Sequence, residues 1–130
     1  MRYLLYAGQK LVGWSELESA DPPMGCVVGV FYPNENYEEI KDIIREYSEC
    51  CAPGANVSEE EYKTVWSKVE ALDLVVKTEQ GQAFEPVGGV SLIDYAEELE
   101  DETGRQLSVL GLPHETFIEH FREAHDQYYQ

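Results

Sequence analysis

The sequence predicts a single α+β domain: a mainly antiparallel sheet of five to six strands with three or four helices packed on it. Three observations carry this. Short runs rich in β-branched and aromatic residues, such as Cys26–Tyr32, are bounded by glycine and proline, which is the pattern of buried strands. Neighbouring runs are joined by tight glycine-containing turns, as at Gly8 and Gly81, and such turns make antiparallel hairpins. Tyr37, Ile40, Ile43, Ile44 and Tyr47 instead recur every three or four residues, the spacing of one apolar helix face.

In chain order, Tyr3–Ala7 and Leu11–Leu17 form the first expected hairpin, turning at Gly8 and Gln9. A loop containing Asp21, Pro22, Pro23, Met24 and Gly25 follows, where two adjacent prolines exclude a regular helix or a central strand. Cys26–Tyr32 is the next strand, and Gly29 inside it marks a bulge or a close backbone approach. After Pro33, Asn36 with Glu39 reads as a capping box for a helix ending near Cys50 or Cys51, before Pro53 and Gly54. Ser58 with Glu61 opens a second helix, with Tyr62, Val65, Trp66, Val69 and Leu72 on its face. The short linker between the two helices predicts an antiparallel pair on the sheet.

Leu74–Glu79 and Gln82–Val87 read as a second hairpin, with Pro86 confining the latter strand to an edge. Val90–Ile93 is ambiguous between strand and helix start; a short strand leading into a helix from about Asp94, stopped by Gly104, fits better. Gln106–Leu110 is a further strand. Pro113 opens a C-terminal helix whose face carries Phe117, Phe121, Ala124, His125 and Tyr128, and this helix should be docked on the core.

The chain's 130 residues suit one domain. Val, Ile, Leu and Phe make up roughly a quarter of it, above the level of about 20% below which chains stay disordered. The formal net charge of −17 argues against nucleic-acid phosphates and anionic membrane surfaces as partners, since both demand clustered Lys and Arg. It favours a basic protein partner, although a merely solvated surface has the same composition. The charge is uneven: residues 34–71 carry a net −6 and residues 94–130 a net −8. No apolar run spans a bilayer or resembles a signal-peptide core, and Cys26, Cys50 and Cys51 make no disulfide framework, which places the protein in the cytoplasm. Cys26 is expected to be buried.

Two regions are candidate binding sites. One is the loop after the first hairpin, with Trp14, Glu16, Glu18, Asp21 and Met24; the other is the acidic run containing Glu98, Glu100 and Asp101. Glu16 and Glu18, two apart on a strand, share a face as acid–base carboxylates would, but Ser15 has no nucleophile motif and no histidine with an evident route to it. His114, His120 and His125 are spaced by six and five, which misses the helical rule for metal ligands. The acidic run lacks the alternation and central glycine of a calcium loop. No phosphate-binding glycine loop is present, and neither metal nor cofactor is expected. The leading expectation is a non-enzymatic acidic protein that neutralises or docks on a basic partner, as immunity and inhibitor proteins do. The alternative is a small enzyme or ligand-binding domain with its pocket at the Trp14–Met24 loop.

Overall fold

The sheet is assembled on β4 (Cys26–Pro33), its longest strand. A computed structural model describes the whole chain, residues 1–130. One edge of β4 pairs through Val27–Val30 with β7 (Arg105–Leu110). Its other edge is shared: β2 (Lys10–Ser15) pairs with Phe31–Pro33, and β3 (Ser19–Asp21) pairs with Cys26–Val28. Outside β2 lie β1 (Tyr3–Ala7) and then β5 (Leu74–Thr78), while β6 (Gly89–Asp94) flanks β7. The order is β5-β1-β2-β4-β7-β6, with every pair antiparallel and β3 off this path.

The sheet curls until its edge strands β5 and β6 approach each other. Alternation then sends one residue in two into a common interior: Leu5, Val12, Val27, Phe31, Val76, Leu92, Leu107 and Val109 are all fully buried. Helices close this interior. Ile40 and Ile44, the latter in α1 (Lys41–Cys51), join the core at one place, and Phe117 of α4 (His114–Tyr128) joins it at another. The C-terminal helix is therefore docked, as expected. It kinks at Phe121, whose ring stacks on Tyr3 with centroids 5.3 Å apart. Against the outer side of α1, α2 (Glu59–Ala71) packs Val65 and Val69 on Tyr47, which forms a second small cluster. This is the expected pairing of consecutive helices. No helix is long and apolar enough to cross a membrane.

The α+β class and most strand positions match the sequence, and four local expectations change. Gln82–Val87 is not a strand: a single bridge, Lys77 to Ala83, ties it to β5, and Pro86 removes a donor that a ladder would use. Phe84 still enters the core there, packed on Tyr3 and Phe121. The cap before α1 is Asn34, whose side chain accepts the Asn36 N–H at 2.9 Å and opens a 3₁₀ segment, Glu35–Glu39. Asn36 instead donates its side-chain amide to the Leu11 carbonyl, fastening this segment to β2. Asp94 ends β6, and the helix behind it, α3, spans only Ala96–Leu99 before a 3₁₀ turn at Glu102–Gly104. Cys26 is half-buried rather than buried, because it starts β4 at the rim.

Candidate functional site

Between β2 and β3 the chain leaves the sheet for three residues, and this excursion sets the place of Glu16 and Glu18. Leu17 takes φ +46, an uncommon conformation for a branched side chain, and is held by burial of that side chain and by donation of its N–H to Ser15 Oγ at 3.0 Å. Glu18 then reaches back over β4, and its Oε2 accepts the Val30 N–H at 2.8 Å. That donor lies in the gap which neither β2 nor β3 covers, so the carboxylate takes the place of a missing strand partner. Gly29 makes the approach possible. A Cβ there would lie 2.5 Å from Ser15 Oγ and 2.8 Å from both Glu18 carboxylate oxygens.

The other residues of this loop are dispersed. Trp14 stacks on Tyr32 across the β2–β4 pair at 4.5 Å, and the Arg2 guanidinium lies 4.1 Å over its ring. Asp21 pairs in register with Cys26, and Met24, 66% exposed, closes the 3₁₀ turn Pro22–Met24. The length of β4 from Cys26 to Tyr32, about 20 Å at roughly 3.3 Å per residue, separates Met24 from Trp14. The structure does not bring these two together.

It does bring Glu16 and Glu18 to α4. They line a cleft of about 340 Å³ with Tyr3, His120, Phe121 and Glu123. A histidine thus stands near the carboxylate pair, a juxtaposition invisible in sequence because a hundred residues and the whole sheet intervene. His120 Nε2 is buried without a hydrogen-bond partner, 3.8 Å from Glu119 Oε2, while the ring packs edge-on against Phe84. Ser15 is no nucleophile here, since it is fully buried and its oxygen is engaged by Leu17. No group of three or more His, Cys, Asp or Glu side chains is arranged to hold a metal ion.

The most constrained carboxylate is Asp94, which in sequence marks only the passage from strand to helix. Asp94, 1% exposed, accepts the Tyr37 hydroxyl at 2.6 Å and Arg105 Nε at 3.1 Å on Oδ2, and the Ala96 N–H at 3.0 Å on Oδ1. Its own N–H donates to Ser48 Oγ, which in turn donates to the Ile44 carbonyl of α1. Tyr95 adds a bond from its hydroxyl to the Ser48 carbonyl. Burial pushes the Asp94 carboxyl up, but the Tyr37, Ala96 and Arg105 contacts together outweigh it and leave the group below its usual range. Burial, reinforced by Asp94, pushes the Tyr37 hydroxyl far up, so it stays a donor. This network ties α1, β6, β7 and the 3₁₀ segment together; every Asp94 contact is internal.

The acidic run beyond it is largely occupied with local structure. Glu98 pairs with Arg45 of α1, and Glu97 lies within 3.5 Å of both Lys41 and Arg45. Glu100 takes φ +51 and stops α3. Asp101 is exposed and accepts the Thr103 N–H at 2.9 Å, which holds its carboxyl below the usual range.

Unengaged carboxylates gather instead between α1 and α2. An open groove of about 610 Å³ is lined by Glu46, Glu49, Glu60 and Glu61, with Cys50, Val57 and Val65 as apolar floor. Lys68 neutralises Glu46 at 2.8 Å, while Glu49, Glu60 and Glu61 have no cation within 4 Å. Burial, with Cys51 and the nearby glutamates, pushes the Cys50 thiol up and keeps it protonated, hence weakly nucleophilic. The groove joins the end of one helix to the start of the next, so the Glu-rich N-terminus of α2 meets the C-terminal half of α1. No protein-family model matches this chain, and searches of curated proteins and of solved structures find no match to it either.

Proposed function

We propose that the protein is a non-enzymatic cytoplasmic binding protein that docks on a basic protein partner through the acidic groove between α1 and α2. One observation carries the reading. Seven of the 26 carboxylate side chains (Glu38, Glu39, Glu46, Glu59, Asp94, Glu97 and Glu98) pair with lysine or arginine, leaving 19 without a cation, and three of those 19 face one groove. Part of this charge is explained by folding alone, because glutamates in the first turn of α2 favour its dipole. Glu49 has no such explanation: it sits near the C-terminus of α1, where a negative charge is unfavourable. A basic partner would supply the missing counter-charge and associate faster for it. Three free thiols suit a reducing compartment.

The test is a pull-down at low and high salt with wild type and with the triple variant Glu49→Lys, Glu60→Gln, Glu61→Gln. A basic protein retained by wild type at low salt, and lost both with salt and with the variant, supports the reading. Equal retention by both proteins contradicts it. A second reading, a small-ligand-binding domain, draws on the α4 cleft, where Glu16, Glu18 and Glu123 face Tyr3, Phe121 and the unpaired His120 Nε2. It would leave binding insensitive to the triple variant and sensitive to Glu16→Gln.

A further inference from the structure

On the opposite flank of α1 lies a second cleft, of about 400 Å³, between the end of that helix and α3. Ala52, Pro53, Tyr95 and Leu99 form its walls, and Leu99 is 63% exposed, an apolar side chain held out beside a largely acidic surface. The polar atoms of its floor are satisfied, and the one buried lining atom without a hydrogen bond is Arg45 Nη1, which lies 3.4 Å from Glu97. Ser48 and Asp94 lie there, and their hydrogen bonds are made within the protein. At the rim Arg45 is neutralised by Glu97 and Glu98. Glu49 lines this cleft and the acidic groove alike, so the two cavities are neighbours across one face of α1.

We infer that the two cavities form one docking face, which takes a short basic segment of a protein partner with an apolar anchor residue in the α3 cleft and cationic side chains in the α2 groove. The inference rests on the proposed basic partner and adds the anchor. Charge complementarity selects the occupant: the groove offers Glu49, Glu60 and Glu61 without counter-ions, and the only cation at the apolar cleft is already paired. An apolar side chain entering the cleft would cover Leu99 and remove water from around Glu49, strengthening its attraction for the neighbouring cation. Interfaces concentrate their affinity in such anchors, ringed by polar contacts.

The experiment uses two fluorescent nonapeptides that share four arginines and differ only at the central residue, phenylalanine or serine. Titrated into the intact protein at low salt, the phenylalanine peptide should bind about tenfold more tightly, the effect of burying much of one aromatic side chain. Salt should weaken both peptides and leave their ratio. Leu99→Asp should bring the ratio near one although it adds negative charge, and Ala52→Trp, which fills the cleft, should do the same. Leu99 is exposed, so that variant should keep the wild-type circular dichroism. Salt-sensitive binding with equal affinities for the two peptides overturns the anchor and leaves the basic-partner reading standing. Failure of both peptides to bind, or binding indifferent to salt, overturns both.

Discussion

Asp94 and Glu49 are both carboxylates beside α1, and their surroundings differ in nearly every respect. Asp94 is buried, accepts three hydrogen bonds and has an arginine partner. Glu49 is exposed, has no cation within reach and sits where the helix dipole opposes it. Acidic residues in this protein thus stand in two different kinds of surroundings. Those at the β6–α1 junction hold elements together; between α1 and α2, Glu46 pairs with Lys68 and Glu60 and Glu61 suit the start of α2, whereas Glu49 has no partner that would tie it to the fold. A strongly acidic composition does not say which kind is which; partners and burial do.

The largest expected effect sharpens that contrast. Asp94→Ala leaves Arg105 and the Tyr37 hydroxyl without their shared acceptor, and should destabilise the protein by about 3–5 kcal/mol in denaturant unfolding. A loss below about 1 kcal/mol would show that the network is ornamental. Next comes Gly29→Ala, which drives a methyl group onto Ser15 Oγ and Glu18 and should cost about 1–3 kcal/mol. An unchanged unfolding midpoint would mean that Glu18 is free to move away, and that its bond to Val30 contributes little.

Acid should distinguish the two kinds of carboxylate through linkage. The folded Asp94 carboxyl lies below its unfolded value of about 3.9, so the unfolded state takes up its proton first. The stabilisation is therefore complete above about pH 4 and is lost as pH falls through the folded value. The stability difference between wild type and Asp94→Asn should hold steady down to about pH 4 and narrow below it. A difference independent of pH throughout would contradict an ionised Asp94. The smallest effect has the opposite sign: Glu49→Lys should leave stability unchanged or raise it by up to about 0.5 kcal/mol, since it relieves repulsion and suits the helix C-terminus. A clear loss of stability would place Glu49 among the structural carboxylates.

What could be read from sequence follows the range of the interactions involved. The strands β1, β2, β4, β5 and β7 announce themselves because apolar runs and glycine or proline breakers are local signals. β3 is three residues of Ser, Ala and Asp with no apolar pattern; it exists because β4 outreaches β2 and leaves an edge to be covered. Gln82–Val87 has the pattern of a strand, yet its pairing with β5 ends with the Phe84 N–H bonded to the Val76 carbonyl, and the Phe84 side chain enters the core. Asn34 rather than Asn36 caps the segment, and both donate their side-chain amides to the carbonyl of Leu11, 23 and 25 residues away, a contact that no local pattern announces.

The candidate sites show the same limit more sharply. Glu16 and Glu18 could be named from the sequence, but Glu18's task depends on an uncovered N–H on β4 and on the missing side chain of Gly29. Asp94 is expected where strand gives way to helix, and its carboxylate does accept the Ala96 N–H there; its partners Tyr37 and Arg105 lie 57 and 11 residues away. In sequence Glu59, Glu60 and Glu61 read as a helix start and, with the acidic run near Glu98, as a candidate acidic surface; the fold instead sets Glu60 and Glu61 opposite Glu46 and Glu49 of α1.

The central claim is that the groove carboxylates serve a partner rather than the fold. Its most direct test is the association rate of the basic protein recovered by pull-down, at low and at physiological ionic strength, with wild type and with the Glu49→Lys, Glu60→Gln, Glu61→Gln variant. Exposed charges act over about 8–10 Å at physiological salt and farther at low salt. Wild type should associate several-fold faster at low salt, and the variant should be slower and nearly salt-independent. Equal rates for both proteins at both ionic strengths would contradict the claim.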